Sequence, residues 1–204
     1  MHPNPHFYTN DRAELVTLIK AHPFALIMST KNTRVHVAHA PVLIDIAEDD
    51  VILRFHLANN NPACEAVLKG GYALVVVTGP HDYISPDWYG RSNIVPTWNY
   101  LSAEAEGECR PLNTSETVQL LDDVSDTFEA HLAPKPMWKR AKMDEERFIT
   151  MQNAITGFAL TPKRFEGIRK LSQNKPEDAR SNVAKALSEH SPSSEIAQLM
   201  AKPK

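Results

Sequence analysis

Between residues 24 and 111 the chain is a succession of short β-prone runs, each closed by turn residues. No other feature constrains its fold as tightly. Phe24 to Thr30, Val35 to Ile46, Val51 to Leu57, Tyr72 to Thr78 and Ile94 to about Pro111 all read as strands. Between them stand the acidic turn Glu48-Asp49-Asp50, then Asn61-Pro62, Gly70-Gly71, Gly79-Pro80 and Pro86-Asp87. Tyr72 to Thr78 is the most continuous apolar run, expected to be the most buried strand and to break at Gly79-Pro80. One short helix, Ala63 to Lys69, interrupts the series, with Pro62 at an early position where its missing N–H costs nothing. Many short strands at this spacing predict a small antiparallel barrel with helices packed outside.

The helices flank that core. Asn10 and Asp11 are candidate N-caps for a helix with Leu15, Leu18 and Ile19 on one face, Glu14 fits a capping box, and His22-Pro23 ends the helix. Asn113 to Glu116 caps a long helix with Val118, Leu121, Val124, Thr127, Phe128 and Leu132 as its apolar stripe, stopped by Pro134 and Pro136. Asp144 to Gln152 reads as helix and Ile155 to Phe165 as a returning strand. From Pro176 the chain is polar and helical, with its last dozen residues expected to be loosely held. The predicted organisation is a barrel core over 1–112, a helix and returning strand over 113–175 that complete the same domain, and a helical tail over 176–204. A chain of 204 residues, 42% hydrophobic, is large enough to bury a core of its own.

Several function classes are disfavoured. None of the seven glycines forms G-x-G, so neither a dinucleotide fingerprint nor a P-loop is expected. Cys64 and Cys109 are not in C-x-x-C spacing and read as reduced thiols. If Val35 to Val42 is a strand, His36 and His39 point to opposite faces, so no metal site is expected there. The N-terminus lacks a signal-peptide pattern, and Ala73 to Val77 is far too short for a membrane span, which together predict a cytoplasmic protein with no membrane partner. The net charge of −3 does not favour DNA as a partner. A local exception runs from Lys163 to Lys175, where five cations face one acid, Glu166. Any nucleic-acid binding is expected to be weak, salt-sensitive and centred there.

Three stretches could carry a site. His39 and His56 each precede a bend, Ala40-Pro41 and Ala58-Asn59-Asn60-Asn61-Pro62. A neutral imidazole donates and accepts, which suits the edge of a heteroaromatic ligand, and Asn amides with a helix N-terminus suit a phosphate. The alternative is a pair of structural histidines beside an Asn-rich turn. Residues 83–100 hold two of the three Trp and three of the five Tyr, which suits a planar ligand, a subunit interface or simply a core. Arg169-Lys170-Leu171-Ser172-Gln173-Asn174-Lys175 offers a phosphate grip or a solvated basic loop.

Taken in order, Pro5-His6-Phe7, Pro23-Phe24-Ala25, His39-Ala40-Pro41-Val42-Leu43-Ile44-Asp45, His56 to Pro62, Gly79 to Tyr89, Val95 to Tyr100, Gly157-Phe158 and Lys170 to Asn174 resemble the PaiB-like family of FMN-binding negative transcriptional regulators. The resemblance implies an FMN-binding split β-barrel, mainly β with flanking helices, that forms a homodimer with flavin at the subunit interface. It places cofactor contacts at Ala38, His39, Ala40 and Pro41, and at Phe55, His56, Leu57, Ala58, Asn60 and Asn61. Trp98, Asn99, Lys170, Ser172 and Gln173 complete the candidate set. The chain departs from the family pattern at Asn59, at Glu104 where a histidine is common, and at Gly167-Ile168 where Gly-Lys is expected. Three readings stay open: a flavin-binding regulator, a flavin-dependent oxidoreductase acting on a small-molecule ligand, and a haem-binding or haem-degrading protein ligated by His39 or His56. No side chain stands out as a general acid or base.

Overall fold

Alternation of buried and half-buried side chains makes sheet of the β-prone runs, most clearly between the exposed ends of the run from Asp50 to Ala58. A computed structural model of the protein describes residues 4–47 and 50–201. Its elements, in chain order, are β1 (Tyr8–Thr9), α1 (Arg12–Ala21), β2 (Phe24–Lys31), β3 (Arg34–Pro41), β4 (Leu43–Ala47), β5 (Asp50–Ala58), α2 (Pro62–Gly70), β6 (Tyr72–Ile84) and β7 (Thr97–Pro111). They continue with α3 (Thr114–Ala130), α4 (Glu145–Gln152), β8 (Ile155–Lys170), α5 (Glu177–His190) and α6 (Glu195–Ala201). The strands form one sheet in the order β3-β2-β6-β7-β8-β5-β4, with β1 paired to β8. Of the expected acidic turn, Glu48 and Asp49 lie outside the described residues.

The chain divides into two compact units, one of residues 22–77 and 104–165 and the other of residues 1–21, 78–103 and 166–204. In the first, β2 and β3 form a hairpin closed by Asn32 and Thr33, both at positive φ (49° and 63°). Two left-handed residues give the twist that a two-residue hairpin loop needs. β3, at one end of the strand order, also packs against β5, so the sheet of this unit curls toward closure. Its core holds Ile27, Leu53, Val75 and Leu160, with Phe55 stacked on its register partner Phe158 at 5.5 Å. Arg54 fastens α3 to this sheet: it donates to Asp45 on β4 and to Asp123 on α3 (2.7 Å). Asn113 and Glu116 form the expected reciprocal capping box of α3.

The second unit is built on α1, α5 and α6. Asp11 caps α1 by accepting from Ala13 and Glu14, and the Glu14 carboxylate accepts the Thr9 hydroxyl proton and pairs with Arg169. α5 and α6 bury Val183, Leu187, Ile196 and Met200.

Three expectations are corrected. Of the last dozen residues, 193–201 are not loose, because Ile196 and Met200 are core residues and Ser194 both caps α6 and donates to Asp82 (2.7 Å), while Lys202 to Lys204 lie outside the described residues. Gly79-Pro80 does not break the strand, and β6 runs on to Ile84. Gly79 serves close packing instead: a Cβ there would lie 2.6 Å from Leu18 Cδ1 and 3.1 Å from the Leu101 carbonyl. Finally, the fully buried line of α3 is Thr117 and Leu120, not the stripe from Val118 to Leu132. That stripe is half-buried at Leu121 and Val124 and exposed at Leu132, and part of it faces a cavity.

Candidate functional site

The edge strand β3 sorts its residues by face. Ala38 and Ala40 point into the core with His36 half-buried on the same side, while Val35, Val37 and His39 are exposed. His36 and His39 therefore diverge, as their spacing requires. On the neighbouring β2, Phe24 is 68% exposed, and its ring stacks on His39 with centroids 6.0 Å apart and planes 25° apart. Pro41, the register partner of Phe24, is half-buried. The result is an accessible aromatic–heteroaromatic pair with two β-branched side chains on its strand. Apolar area left open in this way marks a ligand or partner surface more often than chance.

The end of β5 and the start of α2 supply polar groups. Phe55 and Leu57 are core residues, whereas Ala58 and Asn60 are exposed. Asn59 is committed to the returning strand: it donates to the Asn153 carbonyl (2.8 Å) and accepts from the Thr156 hydroxyl (2.7 Å). Asn61 is the N-cap of α2, its Oδ1 accepting from the Ala63 N–H at 2.9 Å. Asn60 bonds to no described residue. α2 packs on both β2 and β3.

The other five candidates lie in the second unit. Trp98 is exposed, with His81 and Tyr83 rings about it at 6.1 and 6.0 Å. Asn99 is fully buried and bonded to Ser172 and to Met200 Sδ. Ser172, buried at φ 57°, also bonds the Tyr89 hydroxyl (2.7 Å). Gln173 donates to the His6 and Arg169 carbonyls and accepts from the Leu171 N–H. These three side chains hold their own unit together. Lys170 donates to Thr97 (2.6 Å) and sits 5.7 Å from the Phe7 ring centre, and partial burial lowers its pKa. The aromatic cluster of residues 83–100 is thus split, with Tyr89 buried and Tyr83 and Trp98 exposed.

Much of the positive charge of the Lys163–Lys175 stretch is already matched. Arg164 pairs with Glu104 (2.8 Å) and Glu106 (2.5 Å), Lys163 with Glu108 (2.5 Å), and Arg169 with Glu14 (2.9 Å). Glu104, the residue departing from the family pattern, is therefore one half of an ion pair.

A cavity of about 330 Å³ opens among α3, α4 and the adjoining ends of β5 and β8, and sequence reasoning did not foresee it. His56 lines it. The ring's Nδ1 is buried with no hydrogen-bond partner among the described residues, and burial lowers the pKa of the ring. The only signal in the sequence was the half-apolar character of 113–152, which resembled an ordinary core-facing helix. Among the described residues, no cluster of three or more His, Cys, Asp or Glu gathers as metal ligands, and no helix is long and apolar enough to cross a membrane.

Comparison with known proteins gives this geometry a context. Residues 1–164 match the family described as "Putative FMN-binding domain". Protease synthase and sporulation protein PAI 2 of Bacillus subtilis is 29% identical over 203 residues, which span 96% of this chain and 94% of that one. Among solved structures, the flavocytochrome Anf3 of Azotobacter vinelandii superposes with a TM-score of 0.61 at 14% identity, over 83% of this chain and 72% of that one. The FAD and heme binding protein of Mycobacterium smegmatis superposes with a TM-score of 0.60 at 19% identity, over 87% and 79%. The fold is the split β-barrel, mainly antiparallel sheet with flanking helices.

Proposed function

From the chain's membership of this FMN-binding-domain family, which the match over residues 1–164 establishes, we propose that it binds FMN and acts as a flavin-dependent regulator. The observation that carries the flavin reading is the exposed Phe24–His39 stack on the edge of the sheet. A flavin ring has broad apolar faces and a polar edge. The stack and Val37 suit the faces, and the His39 imidazole, both donor and acceptor, suits the edge. Asn60 and the N-terminus of α2 are proposed for the phosphate, with Asn61 keeping that terminus in place. Bound FMN supplies redox chemistry that the side chains lack, and the protein's part is to hold it, orient its edge and limit its contact with water.

The name of the Bacillus relative links it to protease synthesis and sporulation, which favours a regulatory role. The ion pairs at Lys163, Arg164 and Arg169 leave that stretch poorly equipped to grip DNA. The regulatory output is therefore proposed to run through the flavin site. A second copy of the chain is the proposed partner, covering exposed Phe24, Val35 and Val37.

The test is an absorbance spectrum of the purified protein together with identification of the released chromophore, followed by FMN titration of the apoprotein. FMN bound in the wild type and weakened by His39→Ala supports the reading. A Soret band without flavin, or folded His39→Ala protein with unchanged FMN affinity, overturns it. Light scattering that returns a monomer at micromolar concentration overturns the dimer.

A further inference from the structure

We propose that the cavity among α3, α4, β5 and β8 is a second small-molecule site, built for a neutral bicyclic compound that presents one carbonyl oxygen to His56. This goes beyond the flavin reading and does not depend on it. The size comes first. A dry cavity of about 150 Å³ accepts one benzene ring, so about 330 Å³ accommodates two fused rings. The wall comes second. Leu121, Val124, Trp138, Phe148 and Met151 make it apolar and partly aromatic, the lining expected of a pocket that binds a flat hydrophobic molecule.

The polar group comes third. His56 lines the cavity from an interior strand, β5, which pairs with β4 and β8 on its two sides. Its Nδ1 is buried and bonds to no described residue. A buried unpaired donor is rarer and costlier than a buried unpaired acceptor, so the proton belongs on Nε2. Nε2 is then the ring's accessible nitrogen and a donor, and the matching ligand atom is an acceptor. Burial keeps the ring neutral, so the acceptor need carry no charge. The charged lining agrees: Arg140 and Asp122 both border the cavity, Asp122 holds Arg140 through two hydrogen bonds of 3.0 Å, and the guanidinium lies 4.9 Å from the Phe148 ring centre. The Asp122 and Arg140 charges that line the cavity therefore match each other, which suits an uncharged ligand.

The probes are 1-tetralone, a bicyclic aromatic ketone, and tetralin, its analogue without the carbonyl, titrated calorimetrically into the full chain. We expect saturable one-to-one binding of 1-tetralone, about tenfold tighter than tetralin. His56→Phe is expected to erase that preference, and Val124→Trp, which fills the cavity, to abolish both. Circular dichroism establishes that each variant is folded, and flavin content is measured alongside. Absence of saturable binding to the wild type, a tetralone preference that survives His56→Phe, or binding untouched by Val124→Trp overturns the proposal. Loss of flavin together with tetralone in Val124→Trp also overturns it, since the cavity would then belong to the flavin site. A wild type that binds tetralone but no FMN overturns the flavin reading alone.

Discussion

The two asparagines that open α2 separate a structural role from a binding role, and three substitutions read them apart. Asn61 accepts from the Ala63 N–H at 2.9 Å, so Asn61→Ala loses one cap, worth about 1 kcal/mol. For a chain of this length that lowers Tm by about 2–4 °C. The helix it starts buries Ala63, Cys64, Ala66 and Val67, so its loosening is felt throughout its unit. Asn61→Asp caps equally well and should leave Tm unchanged. It also adds a negative charge. A phosphate carrying nearly two charges about 4 Å away in water would be repelled by about 2 kcal/mol, so FMN affinity should fall by roughly tenfold or more. Asn60→Ala removes an exposed amide with no partner among the described residues, and should leave Tm unchanged while weakening FMN about tenfold. Thermal melts give the first quantity and quenching of FMN fluorescence the second. If Asn61→Asp and Asn60→Ala both bind FMN as the wild type does, the phosphate is not at α2 and the reasoning fails.

Three other outcomes are expected. His56 has a folded-state pKa below its usual value, so the unfolded chain takes up its proton first as pH falls through about 6.5; stability should drop over that range, and urea midpoints of His56→Phe should show a shallower drop than the wild type. Burial raises both thiols, Cys109 to about 12, so neither Cys64 nor Cys109 should react with a thiol reagent at pH 8 until urea is added; rapid labelling of native protein would contradict the burial. In Gly107→Ala the new methyl would meet the Thr161 carbonyl at 2.0 Å and the Pro162 Cα at 2.8 Å, both backbone atoms that cannot rotate away. A loss of about 3 kcal/mol or more is expected by denaturant titration, and a variant as stable as the wild type would show that β7 and β8 do not approach there as described.

Local features of the fold were legible because local chemistry sets them. Pro62 behind Asn61, the Asn113–Glu116 box and the alternation of Val51 to Leu57 each act within a few residues. What failed depended on distant partners. Gly79-Pro80 has the composition of a strand breaker, and only the nearness of Leu18 and Leu101 explains why a strand passes through it. The basic stretch read as an open patch because Glu104, Glu106 and Glu108 stand some sixty residues away in sequence. Likewise, nothing local distinguishes the α3 face that packs, Thr117 and Leu120, from the face one residue on that borders the cavity. His39 and His56 looked alike in sequence, yet one is exposed on an edge strand and the other lines a cavity from an interior strand.

The pairing of β5 with β8 has a consequence for how the chain is made. Leu53 meets Leu160 and Phe55 meets Phe158, partners separated by about a hundred residues. A ribosome adding roughly 5–20 residues per second leaves β5 without its inner neighbour for about 5–20 s. Throughout that interval one ladder edge of β5 is open, and the face that Phe158 will cover is bare. Open apolar strand edges recruit other chains. The nascent protein is therefore most vulnerable after β5 emerges and before β8 does, and polypeptides terminated ahead of Ile155 should accumulate in the insoluble fraction or on chaperones.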